Sequence, residues 1–255
     1  MFLRGFIQAG DHSGQQSIGY RFPFGPCMHI APFNFPIEIC AMHAWGGLMA
    51  GNKLLVKVDS RVSVVFEQFL RLMLECGLPP TDLDLIHCDG PNAEKIITMT
   101  PEIRSVMFVG SSKVAEHLSK ITNGKVRLED AGFDWKILGP DVQNLDYVAW
   151  QSDQDAFACS GQKCSAQSIL YMHENWAKTD FLDKLKNLAA RRKLADRTCI
   201  PIITWNNKKI KAHIDACLKI PGAKLLFGGK ELTGHTIPEI YGAFEPTAVV
   251  GSKST

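Results

Sequence analysis

The run Cys159-Ser160-Gly161-Gln162-Lys163-Cys164-Ser165-Ala166-Gln167-Ser168 puts two thiols on a Gly/Ser/Gln-rich bend. An acidic stretch (151–155) precedes it and an apolar, strand-like run (169–172) follows. Such a bend leaves a thiol in open surroundings with backbone N–H groups nearby, which a nucleophile needs and a core cysteine does not. Alone the signal is weak, because cysteine usually packs as a small hydrophobe. Three other places add to it. Asn34 sits in Pro32-Phe33-Asn34-Phe35-Pro36, where the two prolines exclude regular helix and fix an extended bend. Glu129 ends the strand-like run 125–129, and Gly110-Ser111-Ser112 follows another strand and opens a helix. A helix start of that kind offers N–H groups and a dipole to an anion. A thiol, a carboxylate and an amide suit acyl-type chemistry: the thiolate attacks a carbonyl, the amide N–H₂ stabilises the oxyanion, and the carboxylate activates a water. Plainer roles stand beside these. Asn34 could cap a turn, Glu129 could pair with Lys125 or Arg127, and Ser111 or Ser112 could be an ordinary N-cap.

The elements that must hold these residues follow from periodicity and punctuation. Residues 1–24, with glycine at 5, 10, 14 and 19, read as a β-hairpin or arm. A short buried strand over 26–32 leads into the proline loop, and 37–50 reads as a helix closed by Gly51-Asn52. Strands at 54–58, 83–87, 105–109 and 125–129 then alternate with helices at 62–76, 92–99 and 113–120. That alternation means an α/β fold with a parallel sheet, which binds ligands outside the carboxyl ends of its strands. There is no GxGxxG fingerprint. After Gly132 the pattern changes to a helix at 145–158, a strand at 169–173, a long helix at 176–193, a helix at 208–219 and a strand at 224–227. An acid- and aromatic-bearing loop begins at Pro238, and 247–250 is strand-like. The boundary between two domains falls near 131–134.

Composition narrows the class. Over 255 residues, 45% hydrophobic and 21% charged is the balance of a globular chain with a sizeable core, and a net charge of +2 implies no strong electrostatic partner. The basic runs 191–193 and 208–211 fall in helix-like stretches and read as solvated faces, not a nucleic-acid surface. Eight irregularly spaced cysteines without a CxxC pair support neither a zinc site nor a disulfide scaffold, and they fit a reducing compartment. No apolar run is long enough to span a bilayer. Residues 1–6 are too short for a signal-peptide core and lack the pattern of a mitochondrial presequence, so either no targeting is needed or the presequence lies outside this chain.

Six motifs occur in a fixed order: Pro32-Phe33-Asn34-Phe35-Pro36, the run 51–57 ending in Lys57, the run 108–114 around Gly110-Ser111, Leu128-Glu129-Asp130-Ala131-Gly132, Gly161-Gln162-Lys163-Cys164, and Pro238-Glu239-Ile240-Tyr241-Gly242. With them the sequence resembles the aldehyde dehydrogenase superfamily over essentially its whole length. The detail of 128–168 is similar to the plant-type branch of delta-1-pyrroline-5-carboxylate dehydrogenases, which oxidise glutamate semialdehyde to glutamate in proline breakdown. The resemblance implies that Cys164 attacks the aldehyde to give a thiohemiacetal, and that Asn34 with the Cys164 N–H holds the oxyanion. A hydride would pass to NAD, leaving a thioester that Glu129 hydrolyses through a water. Phe33, Lys57, Ser60, Gly110, Ser111, Val114, Gly132, Glu239 and Tyr241 would contact the cofactor: Lys57 and Ser60 at the adenosine ribose, Gly110 and Ser111 at the pyrophosphate, Glu239 at the nicotinamide ribose. No metal is implied.

The resemblance also sets the organisation. It implies an oligomerisation arm over 1–24, a partial Rossmann-like NAD-binding domain over 25–131 and a partial α/β catalytic domain over 132–255. Family chains begin before the equivalent of Met1 and continue past Thr255, so the chain is expected to be truncated at both ends, and a homo-oligomer if full length. Val58-Asp59 stands where Pro-Ser is usual, and the Asp59 charge near the ribose favours NAD over NADP. A mitochondrial matrix location follows from the resemblance, with the cytoplasm as alternative. Two other readings stay open: an inactive or assembly-dependent family member without catalysis of its own, and a reductase of acyl phosphates or thioesters, which needs no Glu129. A metal-binding module is more distant.

Overall fold

The computed structural model describes residues 5–7 and 12–251. The chain divides into two compact units, Met1–Ala131 and Gly132–Thr255.

The first unit opens with β1 (Gly5–Ile7) and β2 (Ile18–Tyr20), paired antiparallel. Of the expected arm over 1–24, residues 1–4 and 8–11 lie outside the described residues. There follow β3 (Pro26–Ala31), α1 (Glu38–Met49), β4 (Lys53–Val58), α2 (Ser63–Glu75), β5 (Leu83–Ile86), α3 (Gly90–Met99), β6 (Ser105–Gly110), α4 (Ser112–Ile121) and β7 (Val126–Asp130). The five strands β3 to β7 form one parallel sheet in the order β5-β4-β3-β6-β7. Helices cover both faces at β3 and β4, as parallel sheets require, while β7 is largely exposed. On one face Ala31, Leu54, Val56 and Val58 pack on Cys40 and Ala44 of α1 and on Phe66 and Met73 of α2. On the other, Met28 and Val106 meet Ala93 of α3, and Phe108 meets Ala115 and Leu118 of α4. The strand order reverses between β3 and β6. That switch point, at the carboxyl ends of β3 and β6, is where an open parallel sheet leaves a crevice for a ligand.

The second unit contains β8 (Asp134–Leu138), α5 (Leu145–Phe157), a single 3-10 turn over Ala158–Gly161, β9 (Gln167–Met172), α6 (Glu174–Ala177), α7 (Phe181–Ala190), α8 (Asn207–Leu218), β10 (Lys224–Phe227) and β11 (Ala248–Val250). β8 pairs parallel with β9, and β10 antiparallel with β11. Ala149, Trp176, Phe181 and Leu185 form its core.

Two elements of this unit differ from the sequence expectation. β8 is a strand that periodicity did not announce, because Trp135 and Ile137 on its outer face are as apolar as Leu138 on its inner face, so no alternation shows. The long helix expected over 176–193 is two helices, α6 and α7, and ends at Ala190. Thr179 breaks it: its hydroxyl donates to the Trp176 carbonyl at 2.7 Å and accepts the Phe181 N–H at 3.3 Å, while the Trp176 indole N–H donates to Gly139 at 2.8 Å. At the far end Arg192 leaves the helix to pair with Asp153 of α5 at 2.6 Å, both side chains being almost fully buried. Satisfying that buried carboxylate outweighs a further helical turn.

Candidate active site

In the first unit, the register decides which side chains share a face. In a parallel pair, partnered residues project to the same side. His29 pairs with Met107 and Met107 with Arg127, and Val109 pairs with Glu129 one row further on. Arg127 and Glu129 therefore project to the side of the sheet on which α1 and α2 pack, and both are exposed there. Lys57, Ile30, Phe108 and Leu128 form the row that faces α3 and α4. The sheet thus separates the candidate acid–base residue from the candidate cofactor residues, and both sets approach the carboxyl edge.

The proline loop leaves β3 at that edge. Asn34 does not cap α1, whose first residue has no side-chain cap. Its Oδ1 is instead buried without a hydrogen-bond partner. A buried amide oxygen in that state needs a donor from outside the loop, since nearly all such atoms in folded proteins are satisfied. At the end of β6, Ser111 is the N-cap of α4 in extended geometry, with no side-chain cap. The first N–H groups of α4 are accordingly left to an incoming acceptor. A Cβ on Gly110 would fall 2.6 Å from the Phe108 ring, so a side chain here would force that ring to shift. Val114 and Ser60 are exposed and Lys57 half-buried. These features fit the pyrophosphate and ribose of a dinucleotide.

One expectation changes. Asp59 is not an open charge: Arg61 donates to it from Nε at 2.8 Å, from its second guanidinium nitrogen at 2.7 Å and from its backbone N–H at 3.0 Å. Those bonds hold the Asp59 carboxyl below the usual carboxylate range, with burial opposing. The Arg61 guanidinium also lies 5.3 Å from the centre of the Phe33 ring. Repulsion of a 2′-phosphate by Asp59 is therefore largely offset by its partner.

In the second unit, the nucleophile loop is braced rather than loose. Cys159 and Ser160 both have φ near +55°, a left-handed conformation uncommon for non-glycine residues. The bend persists because its side chains are pinned. The Ser160 hydroxyl donates to the Ile200 carbonyl at 2.9 Å and accepts the Ile200 N–H at 2.8 Å. Gln162 donates to the carbonyls of Cys159 and Pro201 and accepts the Ile203 N–H at 3.0 Å. Ile202 in turn bridges Gly242, just past the Pro238–Tyr241 turn that carries Glu239. One segment, 200–203, therefore carries both the Cys164 loop and the Glu239–Tyr241 turn. Cys164 is half-buried in a turn between Gln162 and Ala166. Gly132 lies directly against it: with φ at +138°, its missing Cβ would stand 2.8 Å from the Cys164 carbonyl oxygen and 3.0 Å from its Cα.

Among the expected residues, then, Asn34, Glu129, Phe33, Lys57, Ser60, Gly110, Ser111 and Val114 belong to the first unit, and Cys164, Gly132, Glu239 and Tyr241 to the second. Sequence reasoning missed the bracing by Ser160 and Gln162, the Arg61 partner of Asp59, and a histidine pair, His29 of β3 and His43 of α1. Gln162 stood inside a quoted motif. The histidines had no sequence signal, being far apart and in ordinary apolar runs. Among the described residues no group of three or more His, Cys, Asp or Glu could hold a metal, and no helix is long and apolar enough to cross a membrane.

A parallel sheet with a switch-point crevice, followed by a cysteine on a braced turn whose backbone lies against Gly132, defines a class of protein, and comparison with known proteins specifies it. The chain belongs to the aldehyde dehydrogenase family, whose model matches residues 4–254. It is 58% identical over 246 residues to delta-1-pyrroline-5-carboxylate dehydrogenase 12A1, mitochondrial, of Arabidopsis thaliana, a match that covers 96% of this chain and 44% of that protein. It is 35% identical over 155 residues to the 1-pyrroline-5-carboxylate dehydrogenase of Bacillus subtilis, covering 57% of this chain and 30% of the other. The crystal structure of succinate-semialdehyde dehydrogenase from Burkholderia pseudomallei superposes with a TM-score of 0.86 at 26% identity, over 99% of this chain and 52% of that one. The chain thus spans less than half the length of the curated relatives it matches.

Proposed function

We propose that this chain carries the machinery for oxidising an aldehyde to a carboxylate through a covalent thioester, with L-glutamate 5-semialdehyde as substrate and glutamate as product. The observation that carries the proposal is the approach of Gly132 to Cys164, in a chain where Glu129 precedes that glycine by three residues. Gly132 lies against the Cys164 backbone and adds no side chain beside it, which fixes the position of the nucleophile's main chain. The Cys164 thiolate attacks the carbonyl carbon of the aldehyde, and the C–S bond forms as the carbonyl oxygen gains charge. Asn34 supplies a hydrogen bond from its Nδ2–H to that oxygen together with the Cys164 N–H. When bound, the nicotinamide supplies the hydride acceptor that makes the thioester accessible. Glu129 then takes a proton from water, and the water oxygen displaces the thiolate.

For the cofactor, Lys57 and Ser60 would hold the adenosine ribose, Gly110, Ser111 and the start of α4 the pyrophosphate, with Phe33 and Val114 lining that side. Glu239 would hold the nicotinamide ribose beside Tyr241, and Gly132 would let the ring approach. NAD is proposed over NADP because Arg61 is committed to Asp59 and so is poorly placed to take a 2′-phosphate. The substrate and the mitochondrial matrix are proposed from the name of the Arabidopsis relative, 58% identical over the shared region. The division of labour follows the units, with residues 25–131 as the cofactor domain and 132–255 as the catalytic domain. A homo-oligomer is proposed through the arm at 1–24.

The test is formation of reduced NAD from L-glutamate 5-semialdehyde by the purified chain, with Cys164→Ala and Asn34→Ala alongside. Turnover that vanishes in Cys164→Ala is expected. Turnover that survives it would overturn the proposal. Absence of turnover in every protein, with no rise in melting temperature on adding NAD, would favour the other reading, in which the chain acts only in assembly with a longer partner.

A further inference from the structure

The bend that leads to Cys164 is gripped by two of its own side chains, which reach a segment 40 positions further on. Ser160 and Ile200 form a closed pair: the hydroxyl donates to the Ile200 carbonyl at 2.9 Å and accepts the Ile200 N–H at 2.8 Å. A hydroxyl can do both from one atom. Gln162 repeats the pattern with an amide, donating to the Pro201 carbonyl at 3.0 Å and accepting the Ile203 N–H at 3.0 Å. The two side chains thus satisfy the backbone of 200, 201 and 203 as a neighbouring strand would.

The gripped segment is itself fixed to α5, the helix that runs into the bend. Arg192 donates to both carboxylate oxygens of Asp153, at 3.2 and 2.6 Å, and to its backbone carbonyl at 3.3 Å. Both side chains are buried. From there the chain folds on itself: the Lys193 N–H donates to the Thr198 hydroxyl at 2.7 Å and the Cys199 N–H to the Lys193 carbonyl at 3.0 Å. The path from α5 through the bend, across to Ile200 and back along 192–199 to α5 is closed. Residues 200–203 are therefore a fixed reference for the bend, not a loop that follows it.

We infer that Ser160 and Gln162 are positioning residues for the nucleophile, setting where Cys164 stands by registering its bend on residues 200–203. The inference rests on the proposed role of Cys164. Only Lys163 separates Gln162 from Cys164, and beyond it the Ala166 N–H donates to the Lys163 carbonyl at 3.2 Å. The backbone does not hold this shape by itself. Cys159 and Ser160 have φ of +55° and +53°, left-handed conformations that cost energy in any residue with a side chain and persist only where the surroundings impose them. Here the surroundings are the Ser160 and Gln162 bonds. A thiol released from that register loses its attack geometry, and a misplacement of about 1 Å can cost on the order of 100-fold in rate.

Ser160→Gly and Gln162→Met in the full chain separate positioning from folding. Glycine favours the left-handed backbone, so Ser160→Gly removes the hydroxyl without adding strain. Methionine keeps the length and flexibility of Gln162 and loses its amide. Two measurements, each made well below the melting temperature of the variant, test the inference. The first needs no turnover: the three-bond Hα–Hβ couplings of Cys164, which report its χ1 rotamer. One rotamer in the wild type and averaged couplings in both variants are expected. Couplings that are unchanged in both variants, or already averaged in the wild type, overturn the inference. The second is the burst of p-nitrophenol from p-nitrophenyl acetate, which reports acylation of Cys164. Its rate constant should fall roughly tenfold or more in each variant, with the half-saturating ester concentration unchanged. A burst that survives Cys164→Ala, or no burst in the wild type, would remove the proposed role of Cys164 itself. A burst that needs Cys164 but keeps its wild-type rate in both variants would remove only the inference.

Discussion

Gly132 and Cys164 approach so closely that no other residue fits between them: an added Cβ would sit 2.8 Å from the Cys164 carbonyl oxygen, from a backbone whose φ is +138°. Both the space and the dihedral exclude a side chain, and the atoms to be displaced are backbone. Gly132→Ala is therefore expected to lower stability by about 1–3 kcal/mol from strain alone and to shift the nucleophile. A thermal melt together with the alkylation rate of Cys164 checks this. A variant that melts and alkylates like the wild type would show that the glycine is incidental.

Gln162 makes three hydrogen bonds that tie the nucleophile bend to residues 201–203 and to Cys159. Gln162→Ala leaves the Pro201 carbonyl and the Ile203 N–H without that partner, at a cost of about 1–3 kcal/mol. Amide exchange over 158–166 should quicken, and acylation of Cys164 should slow. Unchanged exchange would mean that the left-handed pair Cys159–Ser160 is held by Ser160 alone.

Asp59 and Arg61 hold one another, and the guanidinium rests near Phe33. Asp59→Ala releases Arg61 from its carboxylate, and a guanidinium so released is a good partner for a phosphate. NADP-dependent kcat/KM is expected to rise by roughly tenfold relative to NAD. Equal kinetics with the two cofactors before and after the change would place cofactor choice elsewhere.

Acid should weaken the first unit through His29. Burial first, and the nearby His43 second, lower its folded pKa from 6.5 to about 3. The unfolded chain therefore binds the proton more readily, so stability is full above about pH 6.5 and falls as pH drops toward 3. The slope is about 1.4 kcal/mol per pH unit for one proton. Urea melts at pH 7 and pH 5 should show a loss of about 2 kcal/mol in the wild type that His29→Gln lacks. Identical losses in both proteins would assign the acid sensitivity to other groups.

Much of the first unit was legible in the sequence because its physics is local. Runs such as Leu54-Leu55-Val56 and Val106-Met107-Phe108 are buried on both faces and punctuated by glycine and proline, and all five strands of the sheet lie where those runs placed them. The second unit was less legible. β8 hides because Trp135 and Ile137 are exposed apolar residues, and the helix expected over 176–193 breaks at Thr179 and ends early for a buried Asp153–Arg192 pair 39 positions apart. The candidate site shows the same contrast. Asn34, Glu129 and Cys164 stood out by motif. The Arg61 partner of Asp59, the His29–His43 pair and the brace at 200–203 come from contacts that spacing does not encode.

The most direct test of the account is intact-protein and peptide mass spectrometry of Glu129→Gln after incubation with L-glutamate 5-semialdehyde and NAD. With acylation intact and its hydrolysis blocked, a covalent acyl adduct should accumulate on Cys164 and be absent from a Glu129→Gln, Cys164→Ala double variant. An adduct on Cys159, or no adduct on any cysteine while reduced NAD still forms, would contradict it.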